Sequence, residues 1–365
     1  MSLKALHIAC LFGLLSLTAT TQTRDVCATC AYASIKAAVA AAAPGDTLRI
    51  QSGLYREGNI LIDKRLHLIG EGNPVIDGEN QSEIITVTAS GVHIEGLTIR
   101  NVGTSYIEDR AGIRVRRARD FVIRNNRLEN TFFGIYLERA SRGLVSGNVI
   151  KSQATDETSS GNAIHLWYCK HIRVEGNQVE GHRDGIYFEF VDSSVVYRNV
   201  SRHNRAGVAV MFSKQIKMWE NRFIHNWGRA SYGLLLKEIY DADIERNVFE
   251  QNTVAIFVEG STRIRYRDNQ FVRNGWAIKM SGGCLDNEIR ANNFHENTFD
   301  LTLASHVGSN VLEGNYWSEY SGYDLDRDGY GDVPFRPVKL FSHVVDRTPE
   351  AIVLLRSLFV DLINF

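Results

Sequence analysis

The sequence has little of several features that would assign a protein to a class at once. It has 41 lysine and arginine residues against 42 aspartate and glutamate residues, so it lacks the basic excess of a nucleic-acid-binding protein. Five cysteines in 365 residues are too few for a disulfide-rich scaffold. With 5 prolines, 23% charged residues and 44% apolar residues, the composition does not fit a disordered chain. A chain of this length and composition can bury a sizeable core.

The amino-terminal end has the pattern of an export signal. Lys4 precedes an apolar run from Ala5 to Ala19, and small residues follow at its end. This order is typical of a secretory signal, and a buried amino-terminal helix is the alternative. The run is shorter than the ~20 apolar residues that span a bilayer comfortably, and no later segment reaches that length. The sequence therefore predicts a signal peptide at 1–23 and an exported protein.

The next segment, predicted over residues 24–46, contains Cys27-Ala-Thr-Cys30. Outside the cytosol such a pair forms a local disulfide, a thiolate site for a soft metal such as Cu(I), or a redox pair, and all three stay open. Residues 34–43 are rich in alanine and carry Ile35 and Val39 four positions apart, which predicts a short helix. We expect this helix to cap the strand edges of the fold that follows.

Asparagine recurs at one phase of an internal repeat. The repeated residues are Asn126, Asn148, Asn177, Asn199, Asn221, Asn247, Asn269, Asn292 and Asn315. Their spacings are 22, 29, 22, 22, 26, 22, 23 and 23 residues. Short alternating strands lie between them, such as AGIRV from Ala111 and DGIYF from Asp184. Coils of this length suit a β-helix, whereas propeller blades need ~40 residues and helical repeats a 3.6-residue period.

The sequence therefore predicts an all-β fold, a right-handed single-stranded parallel β-helix over residues 47–320 with an amino-terminal capping helix and a carboxyl-terminal helix. Each coil would pair with its neighbours at about 4.8 Å, and the asparagines would stack as a structural ladder. The two long spacings arise at one turn, at 152–161 and 227–231, and a third wide turn covers 103–110. Insertions confined to one turn mark the face that a repeat protein uses.

Outward positions of these strands are candidates for docking a partner or for catalysis. Trp167, Tyr187 and Glu189 are predicted to face outward together, near Met211. Carboxylates for acid–base chemistry are present at 184, 189 and 192, and glycosidases need two that face each other ~5–10 Å apart. The surroundings of Glu189 lack the Lys, Arg and Asp cluster expected for uronate chemistry. We therefore interpret Trp167, Tyr187 and Glu189 as partner-docking residues.

Three histidines and a methionine are candidates for a soft-metal site. His203 and His225 each follow a ladder asparagine by four residues, and His182 follows Asn177 by five. With Met211 on an adjacent strand, these side chains suit Cu(I), so the sequence predicts a copper-docking patch. Cys27 and Cys30 are a second candidate pair of copper ligands. The alternative for the histidines is a role as ordinary turn residues in place of ladder asparagines.

The segment 321–348 carries a pattern typical of a Ca²⁺ loop. Its candidate ligands are Asp324, Asp326, Asp328, the carbonyl of Tyr330, and Asp332, with a glycine at position 6. Phe335 stands at position 12, where a bidentate Glu would complete the loop. We expect a structural Ca²⁺ that closes the carboxyl-terminal end, and a solvated acidic turn is the alternative.

The tail at 349–365 is apolar on more than one face and is predicted to be a helix. Its candidate docking residues are Ile352, Leu355 and Phe359. Such a helix at the end of an exported protein should pack against an apolar surface. That surface is either the last coil or a membrane partner.

Four strings in these coils are similar to the NosD family. They are RDGIYFEF at 183–190, AGVAVMFSK at 206–214, ASYGLLLKEI at 230–239 and GYDLDRDGYGDVPF at 322–335. The repeat itself resembles the coils of the carbohydrate-binding and sugar-hydrolase (CASH) type. The resemblance extends over most of the chain from about Tyr32, and the four strings are far more specific than the repeat.

The resemblance implies a non-enzymatic role in the periplasm, in denitrification. Members of this family are accessory subunits of an ABC transporter made of a membrane permease and a cytoplasmic ATPase. They accept copper from a small lipoprotein chaperone and pass it towards nitrous-oxide reductase. The chain has no phosphate-binding loop, as expected where the ATPase is a separate chain. A secreted polysaccharide lyase, hydrolase or epimerase is the alternative, and a carbohydrate-binding surface protein without chemistry is a third.

Overall fold

Three parallel β-sheets form one solenoid in the computed structural model, which describes residues 21–105, 108–153, 160–303, 309–355, 357–358 and 360. Sheet A has 13 strands, sheet B has 12 and sheet C has 11. Each coil contributes one strand to each sheet in the order A, B, C, and neighbouring strands of a sheet run parallel. The predicted all-β parallel β-helix is confirmed.

Sheet A contains β1 (Thr23–Val26), β2 (Thr47–Gln51), β5 (His67–Glu71), β8 (His93–Glu95), β11 (Val122–Arg124), β14 (Leu144–Ser146), β17 (Arg173–Glu175), β20 (Val195–Tyr197), β23 (Lys217–Trp219), β26 (Tyr240–Glu245), β29 (Thr262–Arg267), β32 (Glu288–Arg290) and β35 (Val311–Glu313). Sheet B contains β3 (Leu54–Arg56), β6 (Val75–Asp77), β9 (Thr98–Arg100), β12 (Arg127–Glu129), β15 (Val149–Lys151), β18 (Gln178–Glu180), β21 (Val200–Arg202), β24 (Arg222–Ile224), β27 (Val248–Glu250), β30 (Gln270–Val272), β33 (Asn293–His295) and β36 (Tyr316–Trp317). Sheet C contains β4 (Ile60–Ile62), β7 (Ile85–Val87), β10 (Ala111–Arg116), β13 (Phe133–Glu138), β16 (Asn162–Trp167), β19 (Asp184–Glu189), β22 (Ala206–Met211), β25 (Tyr232–Lys237), β28 (Val254–Glu259), β31 (Trp276–Met280) and β34 (Phe299–Leu303).

The predicted asparagine ladder occupies the turns between sheets A and B. Asn221 Oδ1 accepts hydrogen bonds from the backbone N and the side-chain Nδ2 of Asn199, at 2.9 and 3.0 Å. Asn199 Nδ2 also donates to the carbonyl of Val174, at 2.9 Å. Both asparagines are fully buried, and the same pattern repeats from Asn126 to Asn315. These bonds satisfy buried backbone donors and fix the register of successive coils.

The core lies between the three sheets and consists of the inward side chains. Ile164, Ile186 and Val208 are register partners in sheet C and are fully buried, as the repeat predicts. A stack of aromatic rings runs through the later coils, where Phe271 lies 4.8 Å from Phe294 between ring centroids. Inward burial along every coil is the main stabilising contribution to such a fold.

A short helix and a strand cover the first coil. Helix α1 (Ile35–Ala41) lies within the predicted range, and Ser34 Oγ accepts a hydrogen bond from Ala37 N at 3.3 Å as its N-cap. Ile35, Ala38 and Val39 are buried in the main core. Strand β1 pairs with β2, so sheet A begins at Thr23, inside the segment that we expected to precede the solenoid.

The carboxyl-terminal helix differs from the expectation. Helix α2 (Leu340–Arg347) precedes the predicted tail helix, and a 3₁₀-helix follows at Pro349–Leu354. Pro349 has no backbone N–H and disfavours helical conformation in Thr348, which ends α2. Among the described residues, no helix is both long enough and apolar enough to cross a bilayer.

Candidate functional site

The three predicted insertions all lie in turns that connect sheet B to sheet C. The wide turns between β9 and β10, between β15 and β16, and between β24 and β25 contain the three predicted insertions. A second asparagine ladder lies in the same turns and was not predicted. Its members are Asn204, Asn226, Asn252, Asn274 and Asn297.

This second ladder fixes the positions of two predicted copper ligands. His203 and His225 each precede a ladder asparagine, so their side chains point to solvent while the asparagines point inward. Both adopt the left-handed conformation with φ of +54°. Their rings lie parallel, with centroids 5.4 Å apart and an interplanar angle of 4°. The structure therefore brings these two exposed imidazoles together.

His182 lies inside the solenoid and not beside the other two histidines. It occupies the ladder position itself, and its backbone N donates to Asn204 Oδ1 at 2.8 Å. Its Nδ1 lies 3.0 Å from the carbonyl oxygen of Glu180, and its Nε2 has no hydrogen-bond partner. Burial lowers the pKa of His182 to about 4, so the ring is neutral at pH 7.

The remaining predicted copper ligands are separate from the histidine pair. Met211 ends β22, roughly 16 Å along the strand from Ala206, which lies beside His203. The Met211 sulfur accepts a hydrogen bond from the Tyr187 hydroxyl, at 3.4 Å. Cys27 and Cys30 form a disulfide, with Cα atoms 5.0 Å apart, so neither sulfur is a thiolate ligand in this state.

The predicted docking residues Trp167, Tyr187 and Glu189 share the outer face of sheet C. Trp167 and Glu189 are register partners, and Tyr187 lies one column away, beside His165. Burial raises the pKa of Tyr187 to about 12, so its hydroxyl stays protonated at neutral pH. Beside these aromatic rings, the charged groups that act on Tyr187 are Glu189, Asp184, Arg183 and Arg205.

His165 on the same face was missed as a candidate residue. Asn162 lies beside it: its Oδ1 accepts from Arg183 Nη2 at 3.2 Å, so its Nδ2 is the group that lies 3.0 Å from His165 Nδ1. His165 therefore carries its proton on Nε2, which has no hydrogen-bond partner. Burial lowers the pKa of His165 to about 3, so the ring is neutral at pH 7. Its outward position in the repeat was visible in the sequence.

The carboxylates of this face are poorly placed for acid–base catalysis. Asp184 is buried and pairs with Arg183 at 3.3 Å and with Arg205 at 2.5 Å. Both guanidinium groups contact the Asp184 carboxylate, so its oxygens are taken up by ion pairs within the protein. Glu189 lies among Trp167 and Met211 rather than opposite a second carboxylate.

The acidic loop brings three of the predicted Ca²⁺ ligands close together. Asp324, Asp326 and Asp328 bring carboxylate oxygens within 4.8 Å of one another, the one such group of metal-ligand side chains in the described parts of the chain. Gly329 N donates to Asp324 Oδ2 at 3.0 Å, and Leu325 N donates to an oxygen of Asp332 at 2.6 Å.

Positions 7 and 12 of the loop pattern are Tyr330 and Phe335. The carbonyl of Tyr330 is the candidate ligand at position 7. At position 12, Phe335 packs against Trp317, with ring centroids 5.3 Å apart, and offers no oxygen ligand from its side chain.

The carboxyl-terminal segment packs against the last strands of sheet C, in agreement with the last-coil alternative. Phe341 and Val345 of α2 form an apolar cluster with Phe299 of the last sheet C strand, and Leu355 packs against it. Ile352 is exposed, so it is free to contact a partner. Phe359 lies outside the described residues.

Comparisons with known proteins agree with this architecture. The family model described as "Periplasmic copper-binding protein (NosD)" matches residues 39–157 and 152–322. A probable ABC transporter binding protein NosD of Pseudomonas aeruginosa is 29% identical over 360 residues, covering 87% of this chain and 82% of its own. The protein of the same description from Stutzerimonas stutzeri is 26% identical, covering 87% and 81%.

Solved structures share the scaffold at low identity. The Agl-KA catalytic domain superposes with a TM-score of 0.62 at 14% identity, covering 78% of this chain and 61% of its own. At this identity the likeness shows the fold alone. Because the family model matches most of the solenoid, the chain belongs to the NosD family of periplasmic copper-binding proteins.

Proposed function

We propose that this protein is the periplasmic binding subunit of an ABC transporter and that its cargo is copper for the maturation of nitrous-oxide reductase. The observation that carries the proposal is the family match over both halves of the solenoid. Two relatives named as transporter binding proteins align with 87% of the chain. A membrane permease, a cytoplasmic ATPase and a copper-chaperone lipoprotein are the partners that this role requires.

We propose His203 and His225 as the copper ligands. Imidazole nitrogen is a good ligand for copper, and the two exposed rings lie on adjacent coils with centroids 5.4 Å apart. Because the rings are parallel and nitrogen lone pairs lie in the ring plane, one ring has to rotate about its side-chain bonds before both can bind the same ion. An exposed site with two protein ligands leaves coordination positions open to a donor or an acceptor protein. His182 and Met211 lie apart from this pair, and Cys27 and Cys30 would first have to be reduced.

Two surfaces are available for the transporter and its partners. One is the outer face of sheet C around Trp167, Tyr187 and Glu189, and the other is the exposed side of the tail at Ile352. Both lie on the same sheet, because α2 packs on the last strands of sheet C. A polysaccharide-active enzyme is not favoured, since Asp184 is locked between two arginines.

We also propose that the acidic loop binds a structural Ca²⁺. Three carboxylates already converge, and backbone N–H groups hold two of them in place. Calcium prefers six to eight oxygen ligands, so Asp332, the Tyr330 carbonyl and water complete the set.

Titration with Cu(I) under anaerobic conditions tests the cargo. We expect the His203→Ala/His225→Ala double variant to bind copper at least tenfold more weakly than the wild type. His295→Ala is the matched control and should bind copper like the wild type. His295 lies in β33 of sheet B, the sheet that contains β21, and its ring packs against Tyr316. Unchanged copper affinity of the double variant would show that the ligands lie elsewhere.

A further inference from the structure

Three aromatic rings form an exposed ridge at the turns between sheets C and A. Tyr168, Phe190 and Phe212 are 48%, 38% and 42% exposed. Their rings stack with centroids 4.6 and 5.3 Å apart and interplanar angles of 19° and 16°. We call these three residues the aromatic ridge. Elsewhere in the fold, the stacked rings of Phe249 and Phe271 are fully buried.

The backbone of the ridge disfavours aromatic residues. All three adopt the left-handed conformation, with φ of +51°, +54° and +49°. Bulky side chains are rare there, because their Cβ atoms crowd the backbone. The equivalent positions of other coils carry polar residues or glycine, as at Glu238 and Gly260. Aromatic residues thus occupy the same exposed, strained position in three successive coils. The stability of the fold alone gives no reason for them there.

A group of arginines continues the ridge at its amino-terminal end. The guanidinium of Arg139 lies over the rings of Trp167 and Tyr168, at 5.2 and 5.4 Å from their centroids. The turns at 116–120 and 138–142 together contain five arginines and two carboxylates, a net charge of +3. We call these two turns the basic flank. From Arg117 to Phe212 the combined surface extends over four coil spacings, roughly 19 Å.

We propose that the aromatic ridge and the basic flank form the docking surface for a folded partner protein with an acidic, partly apolar face. The inference rests on the proposed function, which requires such a partner for copper transfer. Trp, Tyr and Arg are the residues that contribute most to protein–protein binding. The surface contains Tyr168 and five arginines, and Trp167 lies beside Tyr168 with ring centroids 4.8 Å apart. The exposed edges of stacked rings are electropositive and so add to the field of the arginines.

A protein partner fits this surface better than an anionic membrane does. Glu189, Asp192 and Glu238 border the ridge, and lipid phosphates would repel them. An acidic protein surface can place its own cations opposite these carboxylates and its anions opposite the arginines. The rings are also pre-organised by backbone bonds to the next coil, such as Phe190 N to Met211 O at 3.2 Å, which lowers the entropy lost on binding.

Surface plasmon resonance with two purified proteins tests the proposal. The probes are the soluble domain of the copper-chaperone lipoprotein and nitrous-oxide reductase from the same organism. The first variant is Phe190→Asn, which removes the ring and introduces a residue that tolerates the positive φ of this position. The second variant is Arg117→Glu/Arg139→Glu, which reverses two charges of the basic flank. Asp268→Asn, at an exposed left-handed position in a turn between sheets A and B, and Arg229→Glu, at a turn between sheets B and C, are the controls.

We expect at least one of the two proteins to bind the wild type with a Kd that rises tenfold or more in both surface variants. The controls should change it less than twofold, and high salt should weaken binding. Equal affinities of wild type and surface variants, or no binding of either protein, would overturn the proposal. Binding confined to phosphatidylglycerol vesicles would overturn it as well.

Two further readouts on the same preparations separate this inference from the proposed function. They are copper bound per chain and co-purification with the permease and the ATPase. If both persist while the surface variants bind normally, only the docking surface is wrong. If both are absent from the wild type, the proposed function itself fails.

Discussion

At the scale of single residues, a shift of one position decides what a side chain can do. His203 precedes a ladder asparagine and is exposed, whereas His182 takes the ladder position and is buried. The sequence contained this difference, because His182 follows its first-ladder asparagine by five residues and His203 by four. In these turns the residue before the ladder position faces solvent and the ladder residue faces the interior, so the predicted three-histidine patch is reduced to a pair.

The buried His182 predicts a measurable pH dependence. Its pKa of about 4 lies below the ordinary value of ~6.5, so the unfolded chain binds this proton more tightly. The free energy of unfolding therefore falls as the pH drops from about 6.5 towards 4, by roughly 2–3 kcal/mol from this group. His182→Asn, which extends the second ladder, should reduce the loss between pH 7 and 4.5 in urea unfolding. The exposed His225→Asn is the control, and parallel curves for wild type and His182→Asn would contradict the account.

A ladder asparagine should contribute more to stability than an asparagine on a strand surface. In Asn199→Ala, the buried backbone N–H of Asn177 loses its acceptor, which should cost about 3 kcal/mol. Asn293→Ala, on the outer surface of β33, should change stability by less than about 0.5 kcal/mol. Urea denaturation followed by circular dichroism measures both. Equal midpoints for the two variants would show that the ladder is not structural.

At the scale of elements, the repeat was predictable and its two ends were less so. Alternation and spacing repeat through the coils, so each coil supports the interpretation of the next. Helix α2 is not part of the repeat, so no neighbouring coil supports its prediction. It packs against Phe299, which is distant in the sequence, and no local pattern indicates this contact. The second ladder had a usable signal, since Asn204, Asn226 and Asn252 follow the same spacings as the first.

Removing the anchor of α2 should release the tail without unfolding the solenoid. Phe341 is fully buried against Phe299, and Phe→Ala in a packed site costs about 3–5 kcal/mol. In Phe341→Ala we expect limited proteolysis to cut within 340–355 while the solenoid stays resistant. Leu340→Ala, at a residue that is 59% exposed, should resist like the wild type. Loss of the whole solenoid in Phe341→Ala would contradict this separation.

Calcium should stabilise the acidic loop. Addition of Ca²⁺ at about 1 mM is expected to protect residues 321–338 from proteolysis, and a chelator should reverse the effect. Asp326→Asn should abolish the protection, because it removes a charged ligand from the group of three. Asp63→Asn, at an exposed site elsewhere, is the control. Protection that is independent of Ca²⁺ would identify the loop as a solvated acidic turn.

At the scale of the whole molecule, the solenoid is a scaffold that the Agl-KA catalytic domain shares at 14% identity. The solenoid gives a rigid frame on which turns present exposed groups at the spacing of the coils, as His203 and His225 show. Fold alone does not assign the function, because unrelated activities share it. The family match and the exposed pair together favour transfer of copper between partner proteins.

The copper content of nitrous-oxide reductase tests this account most directly. The reductase is purified from cells that lack this chain, from cells complemented with the wild type and from cells complemented with His203→Ala/His225→Ala. We predict full copper loading with the wild type and strongly reduced loading in the other two, with equal amounts of reductase. Full loading of the reductase in cells without this chain would contradict the central claim.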